Sequence, residues 1–85
     1  MFGVKKKQVK EIVTNCDELK EALAKANVSE SHFSLDVAKN FDDEYVLVHK
    51  NSQWVVIFYE RGSGHPQSFN DERSACNYIY YRLVN

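Results

Sequence analysis

An α+β domain in the order α-β-β-β-β-α is predicted by three features of the sequence: N-terminal helical segment or segments, then a four-stranded, mainly antiparallel sheet, then a C-terminal helix. Apolar residues fall at helical spacing from Val9 to Ala26, they alternate with period two from Phe33, and a second helical stripe closes the chain. No linker, repeat or low-complexity segment interrupts this order.

Val9, Ile12, Cys16, Leu19, Leu23 and Ala26 lie on one helical stripe. Within it Asn15-Cys16-Asp17-Glu18 reads as a cap, because Asn15 can accept from the N–H three residues on while Glu18 reaches back. The expectation is a helix over 17–27, with a separate or continuous helix over 5–14. A coiled coil would need more heptads than this stripe spans and a better seam than Cys and Ala. Asn27 to Ser31 ends the helix, and Phe33-Ser34-Leu35-Asp36-Val37 alternates as a half-buried strand does. Tyr45 to Lys50 forms the next strand, Asn51-Ser52 a turn, and Trp54 to Tyr59 a strand apolar on both faces, hence central. Gln67 to Phe69 makes a short last strand. Asn70 or Asp71 then caps a helix whose inward face is Ala75, Cys76, Ile79, Tyr80 and Leu83. Trp54 or Phe58 is expected at the core.

Eighty-five residues make one compact domain, 1–85, since a chain of this size cannot divide its core further. The 44% hydrophobic content suffices to fold without metal or disulfide staples. Eleven Lys and Arg against 12 Asp and Glu leave a net charge of -1, so the basic field that gathers nucleic acid is missing. Lys5, Lys6, Lys7 and Lys10 nevertheless cluster at the start, and Asp42-Asp43-Glu44 form an acidic run. Cys16 and Cys76 have neither disulfide-framework nor zinc-ligand spacing and read as small buried hydrophobes. No apolar h-region follows the N-terminal lysines and no run approaches the roughly 18 to 20 residues that span a bilayer, so a cytoplasmic chain without a membrane partner is expected.

Glu60-Arg61-Gly62-Ser63-Gly64-His65 places a carboxylate, a guanidinium and an imidazole around two glycines. A phosphate-cradling loop would feed a helix, whereas these glycines feed His65-Pro66 and another extended piece, so they read as a hairpin turn permitting positive φ. Glu60, Arg61 and His65 are the best acid-base candidates, but the reading is that the chain is not an enzyme, because a sheet with two flanking helices leaves little volume for a substrate pocket. His32, His49 and His65 lack metal-site spacing, and no metal or other cofactor and no small-molecule substrate is expected. His49 should share a strand face with Tyr45 and Leu47.

Aromatic and aliphatic residues of the strands exceed what one sheet face can hide. Either the helical segments cover both faces, or one face meets a partner. Tyr78 and Tyr81 fall outside the inward stripe of the last helix, and Asp36, Asp42, Asp43 and Glu44 would suit a basic partner surface. These six residues are the candidate partner-binding set.

Phe33-Ser34-Leu35, Trp54-x-Val56, Tyr59-Glu60-Arg61-Gly62, Phe69-x-x-Glu72-x-x-Ala75-Cys76-x-Tyr78 and Leu83 together resemble a family of small immunity proteins. These are encoded beside bacterial polymorphic toxins, including contact-dependent inhibition systems. The resemblance spans residues 30–84. Where relatives tend to have glycines after the Ser-Leu pair, this chain has Asp36-Val37-Ala38-Lys39. The resemblance implies a scaffold role for Trp54, Gly62, Phe69, Ala75, Cys76 and Leu83. It also implies stoichiometric, one-to-one binding of a cognate toxin, commonly a nuclease, whose active site or substrate groove is blocked. Alternatives from other classes are a phage or host inhibitor of a different target, a small RNA-binding module, or an enzyme. The double-stranded-RNA-binding module has a similar element order but needs a lysine-rich start to its last helix, which here opens Asn70-Asp71-Glu72.

Overall fold

A computed structural model describes residues 13–84. The elements are α1 (Cys16–Lys25), a 3-10 turn (Glu30–His32), β1 (Phe33–Leu35), β2 (Glu44–Lys50), β3 (Gln53–Glu60), β4 (Ser63–Phe69) and α2 (Glu72–Val84). The expected α+β order is the observed one. The sheet runs β1-β2-β3-β4, with β1 parallel to β2 and the other two pairings antiparallel. The expected helix over 5–14 lies mostly outside the described residues, and Val13 and Thr14 are not helical.

Local chemistry sets the helix ends. Asn15 Oδ1 accepts from the Glu18 N–H at 2.9 Å, and Glu18 Oε1 accepts from the Thr14 N–H at 2.8 Å, so the carboxylate reaches back one residue beyond the cap. α1 stops two residues short of the expected end because Asn27 takes a left-handed φ of 61°. The Asn27 N–H then donates to the Ala24 carbonyl and the Val28 N–H to the Leu23 carbonyl, which satisfies the last carbonyls. At α2, Asp71 Oδ1 accepts from the Ser74 N–H at 2.8 Å.

Two tight turns fix the strand register. Asn51 and Ser52 both have positive φ, at 53° and 64°, as a two-residue turn matched to strand twist requires. Arg61 (52°) and Gly62 (84°) repeat this between β3 and β4. Of the two glycines read as turn residues, only Gly62 is one. Gly64 lies inside β4, where a Cβ would come within 3.0 Å of the Tyr59 ring and 3.1 Å of the Ile57 side chain. β4 is also longer than expected, since pairing with β3 draws Ser63 to Pro66 into the ladder, and Pro66 is tolerated because β4 is an edge strand.

The register assigns the two sheet faces. Phe33, Leu35, Tyr45, Leu47, Trp54, Val56, Phe58 and Phe69 face one way and pack with Leu19, Ala22, Leu23, Ala75, Cys76, Ile79 and Tyr80 of the helices. Both described helices therefore cover the same face, and the expected segment 5–14 lies mostly outside the described residues. The centre of the core is Leu19, Leu47, Val56 and Ile79, all within 1% of full burial. Trp54 and Phe58, expected there, are only half-buried at its margin. Trp54 is capped by His49, whose ring stacks on the indole at 3.9 Å.

Candidate partner-binding surface

The return from β1 to β2 through residues 36–43 is short for a parallel connection, and one carboxylate organises it. Glu44 Oε2 accepts from Ser34 Oγ and from the Lys39 N–H at 2.8 Å. Glu44 Oε1 accepts from the N–H groups of Asn40 at 2.8 Å and Phe41 at 3.0 Å. Burial alone would raise this carboxyl, but the Ser34 hydroxyl and the three N–H groups outweigh it and hold the pKa down to about 2. Three loop residues, Asp36, Phe41 and Asp43, take left-handed φ without being glycine, so each adopts a conformation that glycine favours.

This corrects the acidic run. Glu44 is fully buried and its oxygens are occupied by the chain itself, so it cannot present charge to a partner. Asp36, Asp42 and Asp43 are exposed. Asp42 Oδ1 accepts the Arg61 N–H at 2.9 Å, which with the Gly62 N–H on the Phe41 carbonyl at 2.7 Å ties the loop to the β3–β4 turn. Asp43 pairs with His32 at 3.5 Å and remains 70% exposed. Asp42 and Asp43 therefore sit at the end of the sheet where β2 begins, both also holding loop geometry, whereas Asp36 lies past the end of β1, level with the middle of β2, where its N–H donates to the Leu47 carbonyl.

Beside this loop lies the sheet face turned away from both helices. Ser34, Glu44 and Val46 on it are buried, Val48, Val55, Ile57 and Tyr59 are half-buried, and no described helix crosses it. Tyr59 rests on Gly64 and meets Phe41 edge-on at 5.0 Å between ring centroids. Phe41 and Val37, from the loop, are 45% and 70% exposed. The run of apolar residues from Trp54 to Tyr59 signalled two apolar faces, but it could not say that one would be crossed by no described helix.

The two tyrosines of the candidate set do not join this surface. Tyr78 packs against Phe69 at 5.2 Å and Tyr45 at 6.3 Å within the helix layer, with the Arg82 guanidinium 5.8 Å over its ring. Tyr81, 40% exposed, stands beside Tyr80 on α2, also on the helix side. Glu60, Arg61 and His65 are exposed around the β3–β4 turn. None of the three lines the groove of about 480 Å³ found between α1 and β1, which is walled by Leu23, Val28, Phe33 and Leu35 among others.

A second constellation was invisible to sequence spacing. α1 and α2 run side by side with their starts together, which brings Cys16, Glu72 and Cys76 into one cluster. The Cys16 N–H donates to Glu72 Oε2 at 2.9 Å. Burial, reinforced by the Glu72 charge, pushes the Cys16 thiol up to about 11, and burial with the neighbouring Cys16 and Glu72 pushes Cys76 up to about 12. Both thiols are thus protonated at neutral pH and weak nucleophiles.

Among the described residues no helix is long and apolar enough to cross a membrane. Comparison of the chain with protein-family models, with curated proteins and with solved structures finds no match.

Proposed function

We propose that this protein binds another protein one-to-one and neutralises it, as the immunity proteins that it resembles do, with the sheet face that no described helix crosses and loop 36–43 as the contact surface. One observation carries this reading: an apolar face with Val55, Ile57 and Tyr59 lies uncovered by any described helix, next to a loop that exposes Phe41 and Val37. Interfaces concentrate their energy in such aromatic and aliphatic centres with a polar rim. Here the Phe41–Tyr59 pair is preformed by Gly64 beneath Tyr59, so little side-chain freedom is lost on binding. Asp36, Asp42 and Asp43 supply the rim, and their charge complements the basic groove in which a nuclease holds phosphates. Action on such a toxin places the protein in the bacterial cytoplasm, where the nucleic acid is. Enzymatic turnover and cofactor chemistry have no part in this reading.

The test is to purify the chain together with the toxin domain encoded beside its gene. A one-to-one complex by light scattering, with toxin activity titrated to zero at equivalence, is expected. Two proteins that elute separately, with full toxin activity, would refute it and favour an inhibitor of a different target. The rim carries its own prediction. Asp36→Lys with Asp43→Lys should slow association by about tenfold or more at low salt while leaving dissociation nearly unchanged, since rim charges act mainly on encounter. Stopped-flow rates equal to those of the unaltered protein would remove these aspartates from the interface.

A further inference from the structure

We propose that Cys16, Cys76 and Glu72 form a binding site for a thiophilic divalent cation of the zinc class, where it would clamp the start of α1 to the start of α2. The two Sγ atoms and a carboxylate oxygen all lie within 4.8 Å of one another. Ligand atoms around tetrahedral zinc stand roughly 3.5 to 4 Å apart, given bonds of about 2.3 Å to sulfur and 2.1 Å to oxygen. Shifts of about an ångström, shared among three side chains, therefore close the site.

The surroundings are built for an ion in three respects. Cys76 is fully buried on α2, so one ligand is fixed by core packing. The Cys16 N–H holds one oxygen of Glu72, which orients the carboxylate toward the two cysteines as outer hydrogen bonds orient metal ligands. Cys16 and Glu72 are only half-buried, so the ion has an entry path and a water can take the fourth position.

Charge agrees with this assignment. Asp17 and Glu18 on α1 and Glu72 on α2 bear on the two thiols, and among the described residues no basic side chain pairs with Glu72. The ion displaces both thiol protons to solvent. Two positive charges replace two protons, so the site keeps the single negative charge of Glu72 and no buried charge is added. Two sulfur ligands favour zinc-class ions over magnesium or calcium, which prefer oxygen.

Cobalt(II) reports directly on thiolate ligation. The full chain, kept reduced with a phosphine, is titrated with cobalt and then with zinc. A sulfur-to-cobalt charge-transfer band saturating at one equivalent, with the visible spectrum of tetrahedral cobalt, and its loss on adding one equivalent of zinc, are expected. Cys16→Ser and Glu72→Gln change half-buried positions and so keep the fold testable even if Cys76→Ser does not fold. Each should weaken cobalt binding by at least about tenfold. Absence of the charge-transfer band from the unaltered protein, or equal affinity in either variant, would overturn the proposal.

Discussion

Glu44→Ala is expected to cost roughly 4 kcal/mol, which is most of the stability available to a domain of this size. The substitution strands three part-buried N–H donors, those of Lys39, Asn40 and Phe41, together with the buried Ser34 hydroxyl. Each unsatisfied group costs about 1 to 3 kcal/mol, and the lower end applies because water can reach part of the loop once it opens. Urea denaturation should show the loss, and Glu44→Gln, which keeps one acceptor oxygen, should lose about half as much. Acid titration separates the charge from the shape. The folded carboxyl titrates near 2 against an ordinary 4.5, so its contribution is fully present above the ordinary value and is lost as pH falls from about 5 through about 2. In Glu44→Gln the difference in stability between those pH values should shrink by on the order of 2 kcal/mol, discounted from the full linkage value because the loop borders solvent. Glu18 and Asp71, also lowered by their cap bonds, titrate in both proteins, so subtracting one curve from the other isolates Glu44.

Val56→Lys and Ile57→Lys should behave oppositely although the residues are adjacent. Val56 is 1% exposed among the helix-facing side chains and pairs with Leu47 and Gln67, so a lysine there must bury its charge or unpack the core. A loss of about 4 kcal/mol or more, seen as an unfolded circular dichroism spectrum at room temperature, is expected. Ile57, half-buried beside Val46, points to the face that no described helix crosses, where a lysine can carry its ammonium to water along an apolar stem. Its cost should stay near 1 kcal/mol or below. Equal damage from both would mean that the second face is covered as well.

The helices and strands were legible because each depends on a local pattern. The caps at Asn15 and Asp71, the Asn51-Ser52 turn and the inward stripe of α2 are all written in a few consecutive residues. What escaped depends on contacts across the chain. In sequence Asp42, Asp43 and Glu44 are three like carboxylates. Only the return of loop 36–43 over Ser34 shows that Glu44 turns inward while its neighbours stay out. Cys16 and Cys76 lie too far apart for spacing rules and meet because α1 and α2 pack with their starts aligned. Ser63 to Pro66 carries no strand pattern of its own and becomes β4 through pairing with β3. The surplus of apolar strand residues did signal a second face in need of cover, but the side on which the helices settle follows from the register and the loop.

The most direct test of that face as the binding surface is the affinity of Ile57→Lys for the toxin domain encoded beside the gene, measured by calorimetry alongside the unaltered protein. A lysine set between Tyr59 and Val55 at the centre of the contact must be desolvated against apolar surface on binding. The account predicts a folded variant whose affinity falls by about 100-fold or more, equivalent to about 3 kcal/mol. A folded Ile57→Lys that binds as tightly as the unaltered protein would contradict it.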